Sequence, residues 1–211
     1  MNTSAAIPPS GPAAARRALP VALAACALLA ALSTFAWLRA ARTPSFHGMT
    51  LDAGEPISGL TFQSEAGPVT IEQFRGKPTI FYFGYTQCPD VCPTTLSDLA
   101  KAVRSMGTAG DDVQVVMVTV DPRRDDAAHM ARYVHIFDPR FVGLSGSETQ
   151  VADAASRFGV HYARSDDGEA YSMEHTASLL VLDAKGRLRL ILPYGMPKEQ
   201  IADDLHAALS L

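Results

Sequence analysis

The sequence predicts an α/β sandwich with a mostly parallel central sheet, preceded by a single apolar helix. Three observations predict it. Residues 18–38 are uncharged. A continuous apolar and aromatic run covers 78–85, and a second pattern of a buried strand covers 113–120. Amphipathic helical patterns alternate with these strand patterns. Strands that are apolar on both faces are typical of parallel sheets covered by helices, and the alternation indicates a layered α/β domain.

The length and charge of the chain limit its domain count and the partners that it is expected to bind. The chain has 211 residues, which suffices for one ordinary domain plus an appendage. The net charge is −4 and no block of like charges occurs, so nothing indicates binding to nucleic acid or to an anionic membrane surface. Residues 1–17 are rich in proline, alanine and serine, which predicts a disordered tail.

Residues 18–38 have the length and composition of a transmembrane anchor. As a helix they would span about 31 Å, the thickness of the apolar part of a bilayer. Arginines flank both ends, and Trp37 stands where an interfacial aromatic ring belongs. Two alternatives stay open, a cleaved secretory signal and a lipoprotein box at Cys26. The apolar run continues to residue 38, well beyond Cys26, which favours an uncleaved anchor.

The orientation of this anchor is nearly undetermined by charge, because two arginines lie on each side of it. The low arginine count is not typical of a mitochondrial transit peptide, which favours a bacterial membrane. The free amino terminus slightly favours an orientation with the N-terminus inside, which places the domain in an oxidising compartment where a dithiol can become a disulfide. We therefore predict a single-pass protein of the bacterial cytoplasmic membrane with a periplasmic domain.

A linker is predicted at residues 39–56 and a single domain at 57–211. The first half of this domain combines a hairpin, two apolar strands and a helix, and Pro93 suits the first turn of that helix. In order, these elements are hairpin strands 60–64 and 68–71, strand 78–85, helix 93–106 and strand 113–120.

The second half of the domain contains one more short strand, three helices and a closing hairpin. Ser147 is suited to cap a helix that Gly159 ends. In order, the elements are helix 125–137, strand 140–144, helix 147–159, hairpin 177–193 and helix 197–211. This order fits a thioredoxin-like sandwich with an N-terminal β-hairpin and one inserted strand and helix.

Cys88 and Cys92 stand four residues apart, where the strand at 78–85 passes into the next helix. If both occupied the first helical turn, their Cβ atoms would be about 5 to 6 Å apart. That separation allows a disulfide after modest adjustment, or one shared metal ion. Because a helix N-terminus lowers the pKa of a thiol, we expect the pair to favour the thiolate form.

The cysteine spacing leaves three roles open: a static disulfide, thiol exchange, or metal binding. Two thiolates are too few for a closed zinc site, whereas two thiolates and one imidazole suit copper. Among six histidines, His175 directly precedes the closing hairpin. In a thioredoxin-like sheet, the first strand of that hairpin starts at the edge where the cysteines lie. The spacing alone nevertheless favours an ordinary loop histidine at this position.

The chain resembles the Sco/SenC family of membrane-anchored copper proteins over about residues 55–210. The resemblance rests on FYFGYTQCPDVCPTTL (81–96), on the block at 118–146, and on MEHTASLLVLDAKGRL (173–188). These three segments occur in the family's order. The resemblance implies a thioredoxin-like fold and a domain outside the cytoplasmic membrane.

The resemblance also implies that one copper ion, as Cu(I) or Cu(II), is bound by Cys88, Cys92 and His175. Members of the family assist assembly of the binuclear CuA centre of cytochrome c oxidase, as metal donor or as reductant of the target's cysteines. The implied partners are the CuA-bearing subunit and possible copper chaperones or thiol reductants. A metallochaperone has no catalytic residues. The alternative function is that of an enzyme, a thiol–disulfide oxidoreductase with Cys88 and Cys92 as its redox-active pair.

Four further positions surround this candidate site. Glu174 stands where the family usually has aspartate. Asp121 is expected at the edge that holds the cysteines, where it either orders the site or serves the following turn. Asp125 matches the family but is equally suited to cap a helix. Met173 is either a weak thioether ligand or a packing residue, and packing is favoured.

Overall fold

The structure is a computed structural model that describes residues 23–35, 45–167 and 170–211. The chain divides into two compact units, Met1–Pro44 and Ser45–Leu211.

In the first unit, residues 23–35 form a helix, α1. The predicted anchor at 18–38 extends beyond both ends of this described segment, and the predicted tail at 1–17 lies outside it. Within the part of the chain that the structure describes, no helix combines the length and hydrophobicity needed to cross a membrane.

The second unit is a mixed α/β domain. Its strands are β1 (Met49–Thr50), β2 (Thr61–Ser64), β3 (Gly67–Thr70), β4 (Thr79–Gly84), β5 (Gln114–Thr119), β6 (Val142–Leu144), β7 (Tyr162–Asp167), β8 (Ala170–His175), β9 (Leu179–Leu182) and β10 (Leu188–Leu192). Its α-helices are α2 (Val91–Ser105), α3 (Ala127–His135), α4 (Glu148–Phe158) and α5 (Lys198–Ala208).

A six-stranded sheet in the order β1-β10-β9-β4-β5-β6 forms the centre of this domain. Strands β4, β5 and β6 are parallel, while β9 runs antiparallel to β4. Every residue of β4 is buried, as its apolar sequence predicts for a strand covered on both faces. The predicted α/β sandwich is therefore confirmed, but its sheet is mixed and not mostly parallel, since the pairings β1–β10, β10–β9 and β9–β4 are all antiparallel.

The predicted ends of α4 agree with the structure, whereas the predicted start of α3 does not. Ser147 and Gln150 form a reciprocal capping box at the start of α4, and Gly159 ends this helix in the left-handed conformation with φ of 68°. At α3 the capping residue is Asp126, whose side chain accepts a hydrogen bond from the His129 N–H. The interpretation of Asp125 as the cap is therefore wrong.

Three strands, β1, β7 and β8, were not predicted from the sequence. Strand β1 falls within the predicted linker and pairs antiparallel with β10. The hairpin β7–β8 is a separate two-stranded sheet in which Tyr162 pairs with His175. His175 therefore ends a strand, whereas the sequence indicated a loop before β9.

Candidate metal centre

Three elements place the candidate ligands at one edge of the central sheet. Cys88 lies in the loop after β4, Cys92 lies in the first turn of α2, and His175 ends β8. Because β9 runs antiparallel to β4, the segment that leads into β9 returns to the edge where β4 ends. One ligand atom from each residue lies within 4.8 Å of the other two. The structure thus brings together all three residues singled out from the sequence.

The individual contacts are close. Sγ of Cys92 lies 3.4 Å from Nε2 of His175. The backbone N–H of Cys92 donates to Sγ of Cys88 at 3.4 Å. Both thiols are free, and Cys92 is fully buried while Cys88 is half-buried. Two sulfurs and one imidazole nitrogen are a donor set that suits a soft ion such as Cu(I).

The assumption that both cysteines lie in the first turn of the helix is wrong. Helix α2 begins at Val91, and Cys88 precedes it in a turn in which its N–H donates to the Tyr85 carbonyl at 3.3 Å. The N–H of Cys92, at the start of the helix, points to the sulfur of Cys88. One amide at the start of the helix, that of Cys92, thus contacts the sulfur of the first cysteine of the pair.

The expected fall in thiol pKa does not occur at Cys92. Burial raises the pKa of Cys92 to about 12, against the hydrogen bond from the Tyr82 hydroxyl, which lowers it. A thiolate loses hydration free energy when it is buried. At Cys92 this loss exceeds the stabilisation that the helix N-terminus and the Tyr82 hydroxyl give to the thiolate. Sequence reasoning failed here because burial depends on residues far away in the chain.

Burial keeps the imidazole of His175 neutral, and its hydrogen-bond partners assign its tautomer. Burial lowers its pKa below the usual value of 6.5, so the ring is uncharged at neutral pH. Its Nδ1 lies 3.1 Å from the carbonyl oxygen of Thr176. A carbonyl only accepts hydrogen bonds, so Nδ1 carries the proton and Nε2 keeps its lone pair. That lone pair is directed to the side where Cys92 lies, as a metal ligand requires.

Aromatic rings enclose the imidazole and the buried sulfur. The rings of Tyr82 and Tyr85 meet the ring of His175 edge-on, with centroid distances of 6.0 and 5.9 Å. The Tyr82 hydroxyl also donates to Sγ of Cys92 at 3.4 Å. Sequence reasoning assigned no role to Tyr82, although it lies on β4 only six residues before Cys88.

Asp125 connects the cysteine loop to β5. Its carboxylate accepts hydrogen bonds from the N–H of Thr86 at 3.0 Å, the hydroxyl of Thr86 at 2.5 Å and the hydroxyl of Thr119 at 2.8 Å. Thr86 lies two residues before Cys88. Asp125 therefore fixes the loop that presents the first cysteine.

The other flanking residues have distinct surroundings. Asp121 is buried and accepts hydrogen bonds from Nε of Arg124 and from the hydroxyl of Tyr171. Met173 is half-buried and packs against the hydrophobic core, in agreement with the packing interpretation. Glu174 is exposed. Asp121 thus orders side chains beside the site, and its carbonyl also accepts the N–H groups of Arg124 and Asp125 in the following turn, so both roles considered for it are present.

The fold and the site together define an α/β protein with a candidate metal site made of two thiols and one imidazole. Its donor set lies at the carboxyl edge of a parallel strand, where α/β folds bind ligands. The family model SCO1/SenC matches residues 59–210, and the chain belongs to this family.

Similar proteins share both sequence and fold with this chain. The mitochondrial SCO2 homolog of Mus musculus is 35% identical over 173 residues, which cover 80% of this chain and 67% of the mouse protein. The solution structure of apo Sco1 from Thermus thermophilus has a TM-score of 0.71 and 37% identity, covering 79% of this chain and 98% of that one. The structure of Bradyrhizobium japonicum ScoI with copper bound has a TM-score of 0.65 and 36% identity. The match covers 71% of this chain and 97% of the Bradyrhizobium chain.

These matches confirm the predicted family and the thioredoxin-like fold of its members. The chain spans about half to two thirds of the length of the curated relatives from mouse, Rickettsia conorii and human.

Proposed function

We propose that this chain is a copper metallochaperone that binds one copper ion through Cys88, Cys92 and His175. The observation that carries the proposal is the convergence of two sulfurs and one neutral imidazole nitrogen within 4.8 Å. Soft thiolates favour Cu(I), which accepts a low coordination number. The copper-bound protein from Bradyrhizobium japonicum, which has the same fold at 36% identity, supports the choice of metal.

The surroundings of the site suit an ion that is handed on. A cleft between the cysteine loop and β8 is lined by Cys88 and His175, whereas Cys92 is enclosed in the core. A ligand from the recipient protein can therefore approach the ion from the side of Cys88 and His175, while Cys92 stays protected. The proposed recipient is the subunit of cytochrome c oxidase that carries the CuA centre, because the chain belongs to the SCO1/SenC family.

An anaerobic Cu(I) titration of the reduced chain against a competing chelator tests this proposal. We expect one tight equivalent, lost in Cys88→Ser and in Cys92→Ser. His175→Ala should keep the dithiol but bind copper at least about tenfold more weakly, a loss of about 1.4 kcal/mol. His135→Ala is the control, since His135 is an exposed histidine of α3. Equal copper affinity in wild type and His175→Ala would contradict the ligand assignment.

The unequal surroundings of the two thiols favour a second candidate function, thiol–disulfide exchange. Cys88 is half-buried and accepts a backbone N–H, as an attacking thiolate requires, while Cys92 is buried beside it. Cys88 would attack a target disulfide to form a mixed disulfide and release one target thiol. Cys92 would then displace the second target thiol and leave a Cys88–Cys92 disulfide. In this way the chain would reduce the copper-ligand cysteines of its target.

The exchange activity is separable from copper binding. Reduction of a disulfide-bonded peptide from the CuA-bearing subunit should survive in His175→Ala and disappear in Cys88→Ser. If His175→Ala keeps full exchange activity while wild type retains no copper, the oxidoreductase function replaces the metallochaperone function.

We further propose that residues 18–38 anchor the domain to a bacterial membrane, with the domain on the extracytoplasmic side. The uncharged sequence of this segment supports an anchor. Residues 23–35 are helical with exposed apolar side chains, which also supports it. The test is alkaline carbonate extraction of membranes that contain the full chain. The full chain should stay in the pellet, and a chain that starts at residue 45 should be released.

A further inference from the structure

The hairpin that ends in His175 is not part of the central sheet. Strands β7 and β8 pair only with each other, as far as the described strands show. The distance from His175 to the cysteines therefore depends on what holds this hairpin against the domain. Side-chain contacts to the hairpin then decide whether the third ligand is in place.

Arg124 connects the hairpin to the domain, in addition to the contacts that His175 makes with the rings of Tyr82 and Tyr85. Its Nε donates to the carboxylate of Asp121, which follows β5. Its Nη1 donates to Oε1 of Gln87 at 2.9 Å and to the carbonyl oxygen of Tyr171 at 3.0 Å. Gln87 is next to Cys88 in the chain, and Tyr171 lies on β8. One guanidinium thus connects β5, the cysteine loop and the histidine hairpin.

Aromatic stacking adds to these hydrogen bonds. The guanidinium carbon of Arg124 lies 3.7 Å from the ring centroid of Tyr171 and 5.8 Å from that of Tyr85. The hydroxyl of Tyr171 donates to Oδ1 of Asp121 at 2.9 Å, so Arg124, Asp121 and Tyr171 each contact the other two. A planar guanidinium donates in several directions within its plane while one face stacks on a ring, and the ammonium group of lysine cannot do both. These contacts therefore require arginine and not positive charge alone.

We propose that Arg124 is a positioning residue that holds the hairpin bearing His175 at ligand distance from Cys88 and Cys92. The proposal rests on the copper-binding function, because His175 matters there as a ligand. Arg124 also contacts the cysteine loop through Gln87, but Asp125 holds this loop through two hydrogen bonds from Thr86, so we expect the dithiol to stay in place without Arg124. Loss of Arg124 should therefore remove the contribution of His175 and leave that of the sulfurs.

The test compares neighbouring arginines in the full chain in detergent, by Cu(I) titration and by Cu(II) electron paramagnetic resonance. Arg124→Gln and Arg124→Lys should each bind Cu(I) at least about tenfold more weakly, and the Cu(II) signal of each should lose its nitrogen hyperfine coupling. Arg123→Gln is the matched control, because Arg123 pairs with Glu148 at the exposed surface. The control should keep both the affinity and the nitrogen coupling of wild type.

A double variant separates positioning from a general charge effect. If Arg124 acts through His175, then Arg124→Gln in the His175→Ala background should change copper affinity less than about twofold. A full additional loss in that background would overturn the proposal. Wild-type affinity in Arg124→Lys would overturn it as well, since charge alone would then suffice.

A measurement without metal tests the positioning role of Arg124 separately from the proposed copper binding. In the reduced apo chain, NMR should show nuclear Overhauser contacts from the His175 ring to the rings of Tyr82 and Tyr85 in wild type and in Arg123→Gln. In Arg124→Gln these contacts should be lost, while contacts between β4 and β5 persist and show that the domain is folded. Unchanged ring contacts in Arg124→Gln would refute the positioning role. Failure of wild type to bind copper would refute the function and leave this result standing.

Discussion

Cys88 and Cys92 have the same side chain in different environments, and this difference determines what each can do. Cys88 is half-buried, lines the cleft and accepts an N–H from the start of α2. Cys92 is enclosed by the core and by the hydroxyl of Tyr82. The first thiol is therefore the accessible one, and the second is protected from solvent and from competing ligands.

Burial of Cys92 predicts a specific loss of stability at alkaline pH in the reduced protein. Its pKa rises from 9.0 to about 12 on folding. Between these values the folded state keeps a proton that the unfolded state releases, so this contribution to stability is complete below pH 9 and declines as the pH rises towards 12. Between pH 8 and pH 10 the free energy of unfolding should fall by about 1 kcal/mol more in wild type than in Cys92→Ala.

Urea unfolding at pH 8 and pH 10 under reducing conditions measures this difference. Cys92→Ala is informative despite the cavity it creates, because the cost of a cavity does not depend on pH. A pH dependence identical in both proteins would mean that Cys92 is hydrated in the folded state, contrary to its complete burial.

At the scale of elements, the corner between β4 and α2 requires glycine at its last strand position. A Cβ atom on Gly84 would lie 2.8 Å from Sγ of Cys92 and 2.9 Å from Cε of Met117. Both distances are far below van der Waals contact. The missing side chain at this position leaves the room that the buried sulfur occupies.

Gly84→Ala should therefore destabilise the protein by about 1 to 3 kcal/mol, because overpacking a filled core forces side chains to shift. The displaced sulfur should also weaken Cu(I) binding. The control is Gly54→Ala, where an added Cβ has no described heavy atom within 4 Å, and where the stability should stay within about 0.5 kcal/mol. Urea unfolding and chelator competition measure the two effects. Equal stability of the two variants would show that the corner relaxes freely.

Local signals explain which elements could be predicted from the sequence. Ser147, Gln150 and Gly159 mark the ends of α4 through contacts within a few residues, and the uniformly apolar run of β4 indicates a strand covered on both faces. The hairpin β7–β8 has no comparable signal. Its sequence, YARSDD followed by AYSMEH, is largely polar. The hairpin forms a separate sheet and is not a strand pair of the central sheet. The site shows the same division. The spacing of Cys88 and Cys92 marks them as a functional pair, whereas His175 could be predicted as a ligand only from the family resemblance, and the contacts of Arg124 and Tyr82 could not be predicted.

At the scale of the whole molecule, residues 45–56 belong physically to the domain, although their sequence is typical of a linker. Asp204 of α5 is fully buried, and its carboxylate accepts the N–H groups of His47 at 2.7 Å and Gly48 at 2.8 Å. A Cβ on Gly48 would lie 2.9 Å from the carbonyl oxygen of Ile191. The segment therefore lies directly on β10 and covers the edge of the central sheet.

A chain that starts at residue 57 should consequently be less stable than one that starts at residue 45, by about 2 to 4 kcal/mol. The shorter chain leaves the buried carboxylate of Asp204 without its two N–H donors and exposes the edge of β10, whereas the longer chain keeps both contacts. Urea unfolding of the two chains measures the difference. Asp204→Asn should recover part of the loss in the shorter chain, because it removes the uncompensated charge, and should destabilise the longer one. Equal stability of the two chains would mean that residues 45–56 are only a linker.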